Sequence, residues 1–129
     1  MFTRALDVIS APSDDNQEMV ESPKITRIGR VAVFPVKPGR FSKLIRRARS
    51  LNCSVVGTQN HASNRLVMLY RLSLRSPLYD KIGHDFPVPL FDWEVTSGRE
   101  LVKILVSKKS EFSASLYTIL HRMARETRS

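Results

Sequence analysis

Residues 65–75 read RLVMLYRLSLR, and their alternation decides the fold. Leu66, Met68, Tyr70, Leu72 and Leu74 fall on one side of an extended chain; Arg65, Val67, Leu69, Arg71, Ser73 and Arg75 fall on the other. Successive side chains of a strand point to opposite faces, so the pattern predicts a half-buried strand with arginines on its open face. Upstream, residues 53–59 suit a short strand and Asn60 to Asn64 a polar turn. The valine-rich run at 27–36 is another strand, with Pro35 near its end or on an edge because proline cannot donate to a ladder. Pro38 and Gly39 mark a turn. Phe41, Leu44, Ile45 and Ala48 then recur at i, i+3, i+4 and i+7, which predicts a helix over 41–51.

Downstream, residues 76–90 hold three prolines and a glycine and read as a long loop or an irregular strand. Residues 91–96 alternate again, with Phe91, Trp93 and Val95 on one side. Ser97-Gly98-Arg99-Glu100 is a capping box that should start a helix. Ser110 is placed to cap a last helix carrying Phe112, Leu116, Ile119, Leu120 and Met123. The expected fold is therefore α+β: an antiparallel sheet with helices packed on one face and the arginines on the open face.

At 129 residues and 42% hydrophobic content, the chain suits one domain with one modest core. Residues 1–24 read as a flexible acidic N-terminal arm, in which Phe2 to Ile9 is a candidate helix. Residues 25–129 form the folded unit. No apolar run reaches the length of a membrane span, and the acidic N-terminus lacks the character of a targeting peptide. A lone cysteine, Cys53, rules out an intramolecular disulfide and fits a reducing compartment. Leu, Ser and Arg supply 42 residues. Their codon-rich bias is common in compact viral genes.

Charge carries the functional signal. The net charge is +9 and unevenly spread. Residues 1–23 hold five acids against one base; the rest of the chain holds 20 bases against seven acids. A body this basic attracts polyanions, nucleic acid above all. Arg30, Lys37, Arg40, Arg71 and Arg75 fall on strands and turns of one sheet, and arginine grips phosphate through a planar fork of donors. Ser63, Ser73, Thr96 and Ser97 add small hydroxyls, which suit the wide minor groove of A-form RNA. Lys43, Arg46, Arg47 and Arg49 are a solvated helix face or part of an interface.

No catalytic apparatus stands out. His61, His84 and His121 sit in unrelated contexts with no second ligand at metal spacing, and the glycines are scattered singly. Asp92 and Glu94 share one face of a strand without a third acid nearby. The reading is a non-enzymatic binding protein with no cofactor, metal or small-molecule substrate.

Three stretches carry a resemblance to a known family. They are Gly29-Arg30-Val31-Ala32-Val33-Phe34 followed by Leu44-Ile45-Arg46-Arg47; Asn60-His61-Ala62-Ser63-Asn64-Arg65; and Trp93-Glu94-Val95-Thr96-Ser97-Gly98-Arg99 before the final helices. Their order resembles the RNA-silencing suppressors of tombusviruses and aureusviruses, over about residues 28–120. The resemblance implies a homodimer that lays a continuous concave sheet on short interfering RNA duplexes in the host cytoplasm, without regard to sequence. It implies phosphate contacts from Arg30, Lys37 and Arg40. It also implies that Asn60, Ser63, Arg65, Thr96 and Ser97 lie on or near the RNA face, and that the last strand and last helix build the dimer. The tryptophan pair that brackets duplex ends in larger members has no counterpart here, and two acids, Asp92 and Glu94, stand where the family has small hydroxyl residues. The alternative is a small viral structural or movement protein that binds single-stranded nucleic acid.

Overall fold

Strand β1 (Gly29–Val36) is paired on both sides. In the computed structural model, which describes residues 25–126 apart from position 84, it lies between β3 (Asn64–Arg71) and β4 (Phe91–Val95). Strand β2 (Ser54–His61) completes an antiparallel four-stranded sheet of order β2-β3-β1-β4. Four helices join it: α1 (Phe41–Ser50), α2 (Leu78–Ile82), α3 (Gly98–Ser107) and α4 (Ala114–Arg125). Short 3-10 turns at Pro38–Arg40 and Lys109–Glu111 precede α1 and α4. The fold is α+β, as the patterning implies. The N-terminal arm and its candidate helix lie outside the described residues.

The helices do not all lie on one face. Val31, Val33, Leu66, Met68 and Tyr70 pack with Leu101 and Leu105 of α3 and Leu120 and Met123 of α4. On the opposite face Ala32, Phe34, Val36, Val67 and Leu69 pack with Phe41, Leu44, Ile45 and Ala48 of α1 and with Leu78 and Ile82 of α2. The expected open face is thus covered over its centre. The reason is visible in β3. Residues 66–70 are apolar without interruption and all buried, the mark of a strand enclosed on both sides. Only the ends of the strand, Arg65 and Arg71, keep the polar alternation.

Local chemistry explains the element ends. The carbonyl of Val33 accepts the N–H of Leu90 (2.7 Å), so positions 33 and 35 turn their backbone polar groups toward β4. Pairing with β4 stops at Val33, so the donor that Pro35 lacks would have had no partner. The polar turn after β2 is tighter than expected: His61 pairs with Asn64 around Ala62 and Ser63, with Ala62 in the left-handed region (φ 54°). Strand β3 stops at Arg71 rather than Arg75, because its ladders to β1 and β2 end at Gly29's neighbour Arg30 and at Ser54. Leu72 and Leu74 are consequently exposed. The loop 76–90 contains α2, held by burial of Leu78 and Ile82 one turn apart. Ser97 caps α3 by accepting the Glu100 N–H (3.1 Å). Helix α4 is capped by Ser113, not Ser110, which lies in the preceding 3-10 turn.

Gly29 is a packing requirement. A Cβ there would meet the Tyr70 ring at 2.5 Å and the Arg71 carbonyl oxygen at 2.6 Å. The Tyr70 hydroxyl also donates to the Arg27 carbonyl (2.7 Å), which pins the ring in place. Gly29→Ala should lower unfolding stability by about 1–3 kcal/mol in urea titrations. Gly57→Ala, where the added carbon meets Met123 at an ordinary 3.7 Å, should change it little.

Candidate nucleic-acid interface

The apolar stripe of α1 is buried, which forces its remaining residues outward. Lys43, Arg46, Arg47 and Arg49 are exposed on the helix, and Lys37 and Arg40 are exposed on the turn that leads into it. No acidic residue interrupts positions 37–49. Among the described residues, Asp85 of the 83–90 loop brings a carboxylate to this face. Asp85 lies 3.2 Å from Arg47 Nη2 and 3.7 Å from Lys43 Nζ. The charge of Lys43, then the hydrogen bond from Arg47, holds its carboxyl below the ordinary value of 3.8. Next to it Phe86 is buried, with the Arg40 guanidinium 5.0 Å above its ring. Arg65 stacks similarly on Phe41 at 4.6 Å, joining β3 to the start of α1.

The residues expected to form one RNA surface fall into two groups. Val36 and Asn60 pair with Arg65, so Lys37, Arg40, Asn60, Ser63 and Arg65 gather where β1 ends and β2 turns into β3. Arg30, Arg71, Ser73, Arg75, Thr96 and Ser97 lie at the opposite end, where Arg30 pairs with Arg71. Arg65 and Arg71 are six residues apart on one strand, about 20 Å at strand rise. The first group adjoins the basic face of α1.

Several members of the second group have internal duties. Arg30 Nε donates to Asp92 Oδ1 at 3.1 Å, and the Asp92 side chain is only 8% exposed. Arg30 also lies across from Glu94. The two acids of β4 are thus beside an arginine of the same sheet. The Thr96 hydroxyl donates to Glu100 Oε1 (2.9 Å), and Ser97 caps α3, so both serve the helix start. Ser73 Oγ accepts the Arg75 N–H at 3.3 Å.

For Lys43 and Arg47 the sequence leaves open a solvated helix face or part of an interface. Their place on a sharply amphipathic, acid-free helix was the available signal. Their convergence on Asp85, 38 residues from Arg47, was not. Among the described residues no cluster of three or more His, Cys, Asp or Glu is placed to hold a metal ion, and no helix is long and apolar enough to cross a membrane. His84 is not among the described residues. Comparison with known proteins gives no matching family model and no significant match to a curated protein or a solved structure.

Cys53 is buried just beyond the C-terminal end of α1, and desolvation pushes its thiol up to about 11, with the Arg71 charge acting in the opposite direction. The folded state therefore keeps its proton after the unfolded chain has released it. Stability should fall as pH rises from about 9 toward about 11, and Cys53→Ala should flatten that fall in urea midpoints taken across the range. Asp92→Ala should cost about 1–3 kcal/mol in the same assay, because it strips the part-buried Arg30 of its partner.

Proposed function

We propose that this protein is a non-enzymatic binder of duplex RNA, and that it suppresses RNA silencing for a plant virus by sequestering small duplexes in the host cytoplasm. The observation that carries the reading is the basic surface of residues 37–49, a segment with no acid of its own, which adjoins Asn60, Ser63 and Arg65 at one end of the sheet. Phosphates are the natural ligands of such a surface, and phosphate contacts carry no sequence information.

A duplex fits better than a single strand. Single strands bind by stacking bases on exposed aromatic rings. The rings at this surface, Phe41 and Phe86, are buried beneath their arginines. The guanidinium and ammonium groups that stand outside these rings suit a backbone whose bases are hidden. The reading also draws on the family resemblance, from which residues 76–87 depart by being longer than the family's tight turn. The resemblance places RNA on a bare sheet; with both sheet faces covered here, the contact moves to the outer face of α1 and the adjoining sheet end.

The homodimer belongs to the same proposal. β4 is an edge strand, and Trp93, stacked on Phe91 at 4.3 Å, is only partly buried, as are Phe112, Leu116, Tyr117 and Ile119. A second copy would cover the edge and extend the sheet. Light scattering should return twice the 14.7 kDa chain mass.

Gel shifts at two salt concentrations test the main claim. Short RNA duplexes should bind regardless of sequence and more tightly than single-stranded RNA or duplex DNA. Lys37→Ala with Arg40→Ala should reduce the magnitude of the log K against log salt slope by roughly two. A preference for single strands would overturn the reading in favour of a viral coat or movement protein.

A further inference from the structure

Asp85 occupies the place a phosphate would take. We infer that Lys43 and Arg47, with Arg40 beside them, form a phosphodiester-binding site, and that the Asp85 carboxylate is a built-in competitor that nucleic acid displaces. The phosphodiester as the natural ligand rests on the duplex-RNA reading; the anion site itself rests on geometry.

Lys43 and Arg47 are four residues apart on α1 and so share one face, a turn from each other. Arg40 stands one turn before Lys43, and its charge also reaches Asp85. Both bases converge on one carboxylate oxygen, Asp85 Oδ2. A carboxylate and a phosphodiester each spread a single negative charge over two terminal oxygens, so donors arranged for one suit the other. The loop presents Asp85 independently of these ion pairs. Gly83, at φ 89°, holds a backbone conformation that favours glycine, and a Cβ added there would meet Arg47 Nη2 at 3.9 Å. Phe86 anchors the far side by burial.

The pair is built to exchange. The side chains of Asp85, Arg47 and Lys43 are 43%, 43% and 53% exposed. Ion pairs this wet contribute little and yield to salt or to a competing anion. The contrast is Arg30 with Asp92, where the acid is 8% exposed and the pair is part of the sheet. Both are arginine–aspartate contacts of similar length, 3.1 and 3.2 Å, but only the pair on α1 can open without disturbing the core.

The test uses the full chain as wild type, Asp85→Asn, Asp80→Asn and Lys43→Ala with Arg47→Ala, the double alanine variant also combined with Asp85→Asn. Asp80 is exposed on α2 with no ion pair among the described residues, so its variant reports the effect of one lost charge alone. Thermal melts check that each variant folds. One arm measures retention on phosphocellulose, which offers phosphate without RNA; the other measures anisotropy of a short labelled RNA duplex against salt. Asp85→Asn should elute later than Asp80→Asn and bind the duplex about two- to fivefold more tightly, with a salt slope steeper by about one. On the double alanine background it should add nothing beyond the single-charge effect. Equal behaviour of Asp85→Asn and Asp80→Asn in both arms would overturn the inference. Stronger phosphocellulose retention with no duplex binding by any variant would uphold the anion site and overturn the duplex-RNA reading.

Discussion

Burial of the central strand pair on both faces is the constraint on which the rest depends. β1 and β3 pair along seven positions, and apart from Pro35 their side chains between the end arginines enter one or the other of two apolar cores. Every helix has a place because of this. α3 and α4 cover one set of alternating residues; α1 and α2 cover the other. Once the faces of the central strands are filled, charged residues are left the sheet ends, the edge strand β4, the loops and the outer helix surfaces. The basic character of the chain is thereby concentrated instead of being spread over a sheet.

That concentration has two forms with different consequences. At the end of the sheet that holds Arg30, the charge is shared with Asp92 and lies opposite Glu94, so its arginine is largely structural. On α1 the bases are exposed, and Lys43 and Arg47 meet the exposed carboxylate of Asp85. Coulombic attraction in water is weak and easily traded. The same chemistry therefore stabilises the fold at one end and leaves an exposed basic surface at the other. Burial of the acid is the variable that separates them.

The cation–aromatic contacts link these roles. Arg40 over Phe86 and Arg65 over Phe41 place guanidinium groups on top of core rings. Each ring is buried and each charge lies outward of it, so the rim of the second core doubles as the floor of the basic surface. Packing of Phe41 and Phe86 thus sets where those charges stand.

Much of this was legible in the chain itself. Alternation located β3 and β4, valine content β1, and helical spacing or a cap the three longer helices, because apolar residues at spacing two or 3.6 report which side of an element must leave water. Ser97 as a cap and the amphipathic α1 were equally local facts. Three things needed the folded chain. The uninterrupted apolar run at 66–70 is compatible with either a half-covered or an enclosed strand until α1 is seen lying on Val67 and Leu69. The arginines of β3 belong to one face yet stand at opposite ends of the sheet, a separation fixed by register rather than by alternation. The meeting of Asp85 with Lys43 and Arg47 depends on a loop returning across 38 residues. Local sequence determined which side chains seek burial and which seek water. Only tertiary structure decided which charges meet, because electrostatic partnership depends on distance through space and on the solvent each pair retains.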